Sequence, residues 1–161
     1  MMDTGSKKLA DTTHVLLRIG AGLFFMMHGG QKLFGWFGGM GPQGGTAELG
    51  SLMGMAGILE VVGGAMMILG LFARPVAFVL AGEMAVAYFM SHLPQGFWPL
   101  QNNGEPAALY ALIWLYFAAN GAGAMSLDAM RHRETEVVEM PVQREAEVAT
   151  WPQVERRRKA G

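Results

Sequence analysis

Residues 52–73 read LMGMAGILEVVGGAMMILGLFA, an almost unbroken apolar run whose one ionisable group, Glu60, lies near the middle. Wound as a helix at about 1.5 Å per residue, a run of this length crosses a hydrocarbon core about 30 Å thick. Lipid solvates neither a charge nor a free backbone amide. The segment is therefore predicted to be a transmembrane helix whose carboxyl group faces other protein groups or a cavity.

Three further runs share this character, and each carries at least one polar residue within an apolar stretch. Their lengths also suit a membrane crossing, so the sequence predicts an all-α fold, a four-helix transmembrane bundle. The bundle is expected to occupy residues 13–130 and to follow a short N-terminal segment, residues 1–12. The predicted helices cover about residues 13–37, 52–73, 75–93 and 106–125.

The composition separates a membrane body from a polar tail. The chain has 161 residues, 52% of them hydrophobic, and more than half of its charged residues follow Ala129. Residues 131–161 are predicted to be a disordered tail, and the alternative is a basic cluster near the end that binds anionic lipid or a partner. The chain contains no cysteine, which excludes disulfides, thiolate nucleophiles and cysteine-ligated iron–sulfur clusters.

The distribution of basic residues predicts the orientation. The first connection, residues 35–51, and the third, residues 94–104, contain no Lys or Arg, and by the positive-inside rule they lie outside. Both termini are then cytoplasmic. The basic residues that flank the helices fall in three places on the other side: Lys7, Lys8, Arg74, Arg131 and Arg133.

Charged residues within the helices are the first candidates for function. Arg18 and Lys32 share one face of the first helix with His28, while Glu60 and Glu83 lie near the middle of the second and third. One interpretation is structural pairing of Arg18 and Lys32 with the two carboxylates. The other is proton handling or recognition of a polar ligand, with Glu60, His28 and Glu83 as the reacting groups.

A second polar cluster is expected where the first and third helices end. A haem has little support here, because His28 lies inside its helix whereas His92 is almost at the end of its own. A divalent metal bound by His28, His92 and Glu105 has little support either, because no HxxxH or ExxH pair occurs. A quinone headgroup fits better, since its carbonyls need hydrogen-bond donors and a proton source beside an apolar aromatic slot. The residues expected to bind the quinone are His28, Gln31, Lys32, Tyr88, His92 and Glu105.

Several ordered motifs resemble the DoxX family of bacterial four-helix membrane proteins over about residues 14–130. They are His28-Gly29-Gly30-Gln31-Lys32-Leu33-Phe34-Gly35, then Leu59-Glu60-Val61-Val62-Gly63-Gly64 through Leu69-Gly70-Leu71-Phe72-Ala73-Arg74, and Ser126-Leu127-Asp128. The resemblance implies the bacterial inner membrane. It also implies a link to membrane redox systems, including a quinone-reducing thiosulfate oxidoreductase and a complex connected with superoxide defence and sulfur transfer.

The sequence and the resemblance together predict the membrane subunit of a quinone-linked oxidoreductase assembly. Its partners would be the lipid bilayer and other protein subunits, and no nucleic acid. The absence of cysteine and of a recognisable haem or flavin motif argues against an autonomous enzyme. Two alternatives are a non-catalytic scaffold, in which the buried charges are only structural, and a transporter of protons or small molecules that uses the same carboxylates.

Overall fold

The computed structural model describes residues 3–131, and every regular element in that range is helical. The predicted tail lies outside the described residues apart from its first residue, Arg131. The all-α prediction is confirmed for the part that is described. Within residues 3–131, four complete α-helices are α1 (Thr4–Phe34), α2 (Leu52–Leu69), α3 (Ala73–Ala87) and α4 (Glu105–Asn120), and a further helical stretch begins at residue 127.

Shorter helical turns extend or follow two of these helices. A π-helical turn over Tyr88–His92 and a 3-10 turn over Leu93–Gln95 prolong α3, and another 3-10 turn, Trp36–Gly38, follows α1. Within residues 3–131, three segments are long and apolar enough to cross a membrane: Thr4–Phe34, Leu52–Leu69 and, with its extensions, Ala73–Gln95. By contrast, α4 has 16 residues and is about 24 Å long, shorter than a typical hydrocarbon core.

Glycines with positive φ end three of the helices before the predicted apolar runs end. Gly35 (φ 69°) ends α1 before residue 37, Gly70 (φ 66°) ends α2 before residue 73, and Gly121 (φ 78°) ends α4 before residue 125. A residue with positive φ cannot continue a right-handed helix, and glycine adopts it without a steric cost. In each case, the apolar sequence therefore continues for a few residues after the helix has ended.

Two helices begin earlier than predicted. α1 begins at Thr4 rather than near residue 13, because the intervening residues contain no proline to interrupt the helix. α3 begins at Ala73 rather than Pro75, because the Asp128 carboxylate accepts hydrogen bonds from the backbone N–H groups of Phe72 and Ala73, each at 2.8 Å. These bonds satisfy donors that a helix N-terminus leaves free.

Glycines bring α1 and α2 into backbone contact. A Cβ atom on Gly22 would lie 2.9 Å from the carbonyl oxygen of Gly64, and one on Gly29 would lie 2.7 Å from that of Gly57. Only glycine leaves room for such a crossing, which is typical of helix pairs that associate within lipid. α3 packs mainly against α4, and the α1–α4 contact is much smaller than either of these two.

The core lies between the helices, and large apolar side chains cover the outside. Trp114, Phe117 and Met67 are fully buried in the core. On the outer faces, Phe78 is 69% exposed and Leu112 is 65% exposed. Water would penalise so much exposed apolar surface, whereas lipid acyl chains do not, so these faces are suited to contact with lipid.

Candidate functional site

An ion pair joins α1 to α2 inside the helix assembly. Lys32 lies in the last turn of α1, and because helical side chains point back toward the N-terminus, its ammonium group reaches along the helix toward the middle of α2. There Nζ donates to both Oε1 and Oε2 of Glu60 at 2.6 Å. The Glu60 side chain is only 3% exposed and that of Lys32 is 18% exposed. These charge-assisted hydrogen bonds fix both side chains.

Glu83 on α3 adds a second carboxyl group to this region. It lies within electrostatic range of both Glu60 and Lys32, and we call these three residues the polar cluster. Both oxygens of Glu83 are buried, and neither has a hydrogen-bond partner among residues 3–131. Native proteins seldom leave a buried carboxyl group in this state, because the lost solvation is not replaced. Glu83 is therefore the member of the polar cluster most available to a proton or a ligand.

Aromatic side chains of α1 and α4 lie beside the polar cluster. Tyr110 is within electrostatic range of Glu60, and its ring lies 5.2 Å from Phe25 and 6.2 Å from His28 between centroids. Phe25 also meets Trp114 edge to face at 5.2 Å. Trp114 is fully buried, and its indole N–H has no partner in the described part of the chain. The arrangement combines flat apolar surfaces with polar groups that are free to bond.

Two of the six residues predicted to bind a quinone, Tyr88 and His92, form hydrogen bonds with the third connection, residues 94–104. The rings of Tyr88 and His92 stack with centroids 6.4 Å apart. The Tyr88 hydroxyl donates to the carbonyl oxygen of Phe97 at 2.8 Å, and Nδ1 of His92 lies 3.0 Å from the carbonyl oxygen of Asn102. Both side chains therefore bind the backbone of the third connection through their polar atoms. This structural role is enough to account for a tyrosine and a histidine just after α3, without a quinone.

The remaining members of that set separate from one another. Gln31 donates to the carbonyl oxygen of Gly39 at 3.0 Å and so holds the first connection. Glu105 is exposed in the first turn of α4, where a carboxylate is favoured by the helix dipole. His28 is an exposed side chain on α1 beside Tyr110. Only His28 and Lys32 of the six predicted quinone-binding residues therefore belong to the region around Glu60 and Glu83.

Arg18 does not join the two glutamates. It is 1% exposed, and its guanidinium group donates to the carbonyl oxygens of Met67 (2.6 Å), Ile68 (3.0 Å) and Met125 (2.6 Å). The first two carbonyls lie in the last turn of α2, where that of Met67 also accepts from the backbone N–H of Gly70 at 3.1 Å and Arg18 supplies a further donor. The predicted pairing of Arg18 with a glutamate is therefore replaced by capping of α2, because these carbonyls are the acceptors within its reach.

Sequence reasoning did not select four residues that organise the region. Tyr110 and Trp114 were hidden among apolar neighbours in α4, where aromatic residues usually only fill a core. Asp128 caps α3 from a position 55 residues away along the chain. Buried Asn102 donates to the carbonyl oxygen of Gly96 at 2.6 Å and accepts from the N–H of Gly104 at 2.8 Å. In the sequence, Asp128 stood out only as part of the Ser126-Leu127-Asp128 motif, and the polarity of Asn102 was its only signal.

The region is suited to hydrogen bonding and proton exchange. Among the described residues, it holds an ion pair, a carboxyl group with no hydrogen-bond partner, an imidazole and a phenol, next to stacked aromatic rings. No group of three His, Asp or Glu side chains with the spacing of a metal site occurs between residues 3 and 131.

Comparison with known proteins identifies the family. The sequence profile of DoxX matches residues 13–93, half of the chain, which confirms the predicted resemblance. A protein of Haemophilus influenzae, described as uncharacterized, is 44% identical over 116 residues, which cover 70% of this chain and 85% of that protein. No solved structure matches the chain significantly. The profile match and the apolar helices together show that this chain is a membrane protein that belongs to the DoxX family.

Proposed function

We propose that this protein is the membrane subunit of a quinone-linked redox assembly and that the polar cluster supplies its quinone or proton site. One observation carries the proposal: both carboxyl oxygens of Glu83 are buried without a hydrogen-bond partner among residues 3–131, next to the Lys32–Glu60 ion pair. A carboxyl group needed only for stability would gain from a hydrogen bond or from replacement by an apolar side chain. Perturbed, unsatisfied groups of this kind concentrate at functional sites.

The proposal includes the arrangement of the chain in the membrane. We place α4 as the fourth helix of a bundle, although it is shorter than the other three segments, because it packs along α3 and supplies Trp114 to the core. The positive-inside rule places both termini in the cytoplasm of a bacterium whose inner membrane holds the bundle. Electrons would be delivered by a partner subunit, since the chain has no cysteine with which to bind a cluster.

The residues present fit a quinone headgroup. Its ring would be accommodated by the aromatic surfaces of Phe25 and Tyr110, and its carbonyl oxygens by hydrogen-bond donors. The indole N–H of Trp114, which has no partner in the described residues, is one such donor, and the imidazole of His28 is another. A bound quinone would supply the capacity to accept two electrons and two protons.

The chain's own groups would divide the remaining tasks. Lys32 holds Glu60 through two hydrogen bonds, so that carboxylate is fixed as a counter-ion. Glu83 has no such bond, so either of its oxygens is free to hold a proton and to donate it to a neighbour. Glu83 is therefore the proposed proton carrier, with His28 as a second group that exchanges protons.

Quinone binding to the purified protein tests the proposal. We expect the wild-type chain, extracted gently from membranes, to carry endogenous quinone and to bind added ubiquinone. Replacement of Glu83 by Leu should weaken binding about tenfold, the effect of losing one buried hydrogen bond of about 1.4 kcal/mol. Quenching of tryptophan fluorescence by the quinone measures the dissociation constant, and thermal unfolding checks that the variant is folded.

The matched control is Glu48→Leu, which removes an exposed glutamate from the first connection. This variant should bind ubiquinone like the wild type. Equal affinity of Glu83→Leu and Glu48→Leu would show that Glu83 does not meet the headgroup. A wild-type protein that binds no quinone would remove the redox proposal altogether.

Proton or small-molecule transport is the second candidate, because the same unpartnered carboxyl group of Glu83 also suits a transported proton. This function requires no electron donor. Proton flux into proteoliposomes that contain only this protein, lost in Glu83→Gln and retained in Glu48→Gln, would favour transport. If the protein neither bound quinone nor conducted protons, the non-catalytic scaffold would be the remaining alternative.

A further inference from the structure

A groove of about 500 Å³ runs between α1 and α4. These two helices contact each other much less than α1 contacts α2 or α3 contacts α4. Leu17, Gly20 and Phe24 line it on α1, and Leu109 and Ile113 line it on α4. These side chains are apolar, and Leu17, Phe24 and Leu109 are each about half exposed. The groove is therefore long, apolar and open to the surrounding lipid, and its volume lies in the range of ligand pockets.

The groove is continuous with the candidate site. Tyr110 lines the groove, and the same ring contacts Phe25 and His28 beside the polar cluster. A molecule that lies in the groove can therefore place one end against Tyr110 and His28 while the rest stays among apolar side chains. Such a molecule must be amphipathic, with a small polar end and a long apolar chain.

The charges at the groove select among amphipathic molecules. Glu105 is the one charged residue in its lining, and it carries the same sign as a phosphate. The two connections nearest to this end of the helices, residues 35–51 and 94–104, contain no Lys or Arg. The nearby ammonium of Lys32 is already bound by Glu60. A phospholipid headgroup would therefore meet repulsion here, whereas an uncharged headgroup would not.

We infer that the α1–α4 groove holds the isoprenoid tail of a quinone, which enters from the bilayer and presents its headgroup at Tyr110. This inference rests on the proposed function and adds the route of entry and the source of affinity for the tail. The tail gains close packing against both helices, which is the main attraction available between apolar groups in lipid.

Binding of two ubiquinones that differ only in tail length tests the inference. Gly20→Leu places a large side chain in the groove, and a Cβ atom at Gly20 meets no atom within 4 Å, so the helices need not move. We expect this variant to bind ubiquinone with four isoprenoid units about tenfold more weakly than the wild type, and ubiquinone with one unit equally well. Tryptophan quenching in detergent micelles measures both dissociation constants.

Gly82→Leu on α3 is the matched control, because a Cβ atom there also meets no atom within 4 Å and Gly82 lies outside the groove. It should leave both affinities unchanged. Leu109→Phe fills the groove from the opposite wall without adding a tryptophan to the fluorescence measurement, and it should reproduce the effect of Gly20→Leu. The inference fails if the longer tail adds no affinity in the wild type, or if the groove variants weaken both quinones equally. Binding of neither quinone to the wild type would instead overturn the proposed function.

Discussion

The ammonium of Lys32 and the carboxylate of Glu60 illustrate how one buried pair fixes two helices. Each ion loses solvation when it is buried, and the mutual attraction together with two hydrogen bonds offsets that loss. The pair therefore contributes less to stability than its short distances suggest. Its strongest effect appears when one partner is missing, since the other ion is then left buried without compensation.

This asymmetry gives a prediction for the pair. Glu60→Leu and Lys32→Met should each lower the free energy of unfolding by roughly 3–5 kcal/mol. Each substitution leaves the other side chain buried in an apolar site, either as a charge without a counter-ion or as a neutral polar group. The double variant should regain most of that loss. Reversible unfolding in mixed micelles measures all four free energies of the cycle. Additive losses in the double variant would show that the two residues do not depend on each other.

The sequence identified individual buried charges better than it identified their partners. Glu60 and Lys32 stand out because both lie within apolar runs, and lipid penalises a lone ion in such a place. Arg18 stands out for the same reason, but its partners are backbone carbonyls, which every residue possesses and no sequence pattern marks. Glu83 was selected as a candidate, whereas its lack of a partner is visible only in three dimensions.

At the scale of elements, the crossing of α1 and α2 depends on glycine rather than on large side chains. Gly64 places its α-carbon against the carbonyl oxygen of Gly22, where an added Cβ would lie 2.7 Å from that oxygen. Backbone atoms cannot rotate away as a flexible side chain does. Any larger residue at Gly64 must therefore separate the two helices, including the segment that carries Lys32.

Gly64→Ala and Gly82→Ala should change stability in opposite directions. Gly64→Ala forces the close crossing apart and should cost roughly 1–3 kcal/mol. Gly82→Ala adds a methyl group in open space and should stabilise α3 by up to about 1 kcal/mol, because alanine has the higher helix propensity. Thermal unfolding of both variants under one set of conditions provides the comparison. Equal changes of the same sign would show that the crossing is not glycine-dependent.

Helix existence was predictable from apolar runs, but helix ends were not. The run that continues through Leu71 to Ala73 resembles the helix before it, and only the backbone conformation of Gly70 shows that α2 has already stopped. Similarly, Asp128 determines where α3 begins only once the chain has folded back to bring its carboxylate to Ala73. Both effects depend on tertiary geometry, which a local hydrophobic pattern does not reveal.

At the scale of the whole molecule, the distribution of Lys and Arg predicts which loops face which compartment. Reporter fusions after Gly41 and after Asn103 should report the outside of the cell, and a fusion at Arg74 should report the inside. A pair of reporters that work on opposite sides of the membrane, alkaline phosphatase outside and a green fluorescent protein inside, measures this. An inside signal from the fusion after Gly41 would overturn the proposed orientation.

The hydrogen bonds of Arg18 join parts of the chain that are synthesised far apart in time. Arg18 emerges from the ribosome with α1, whereas one of its three acceptors, the carbonyl oxygen of Met125, follows α4. The arginine therefore acquires its complete set of bonds only after translation has passed that methionine. Until then, the set of hydrogen bonds made by Arg18 is incomplete, so the final packing of α1 depends on residues that follow α4.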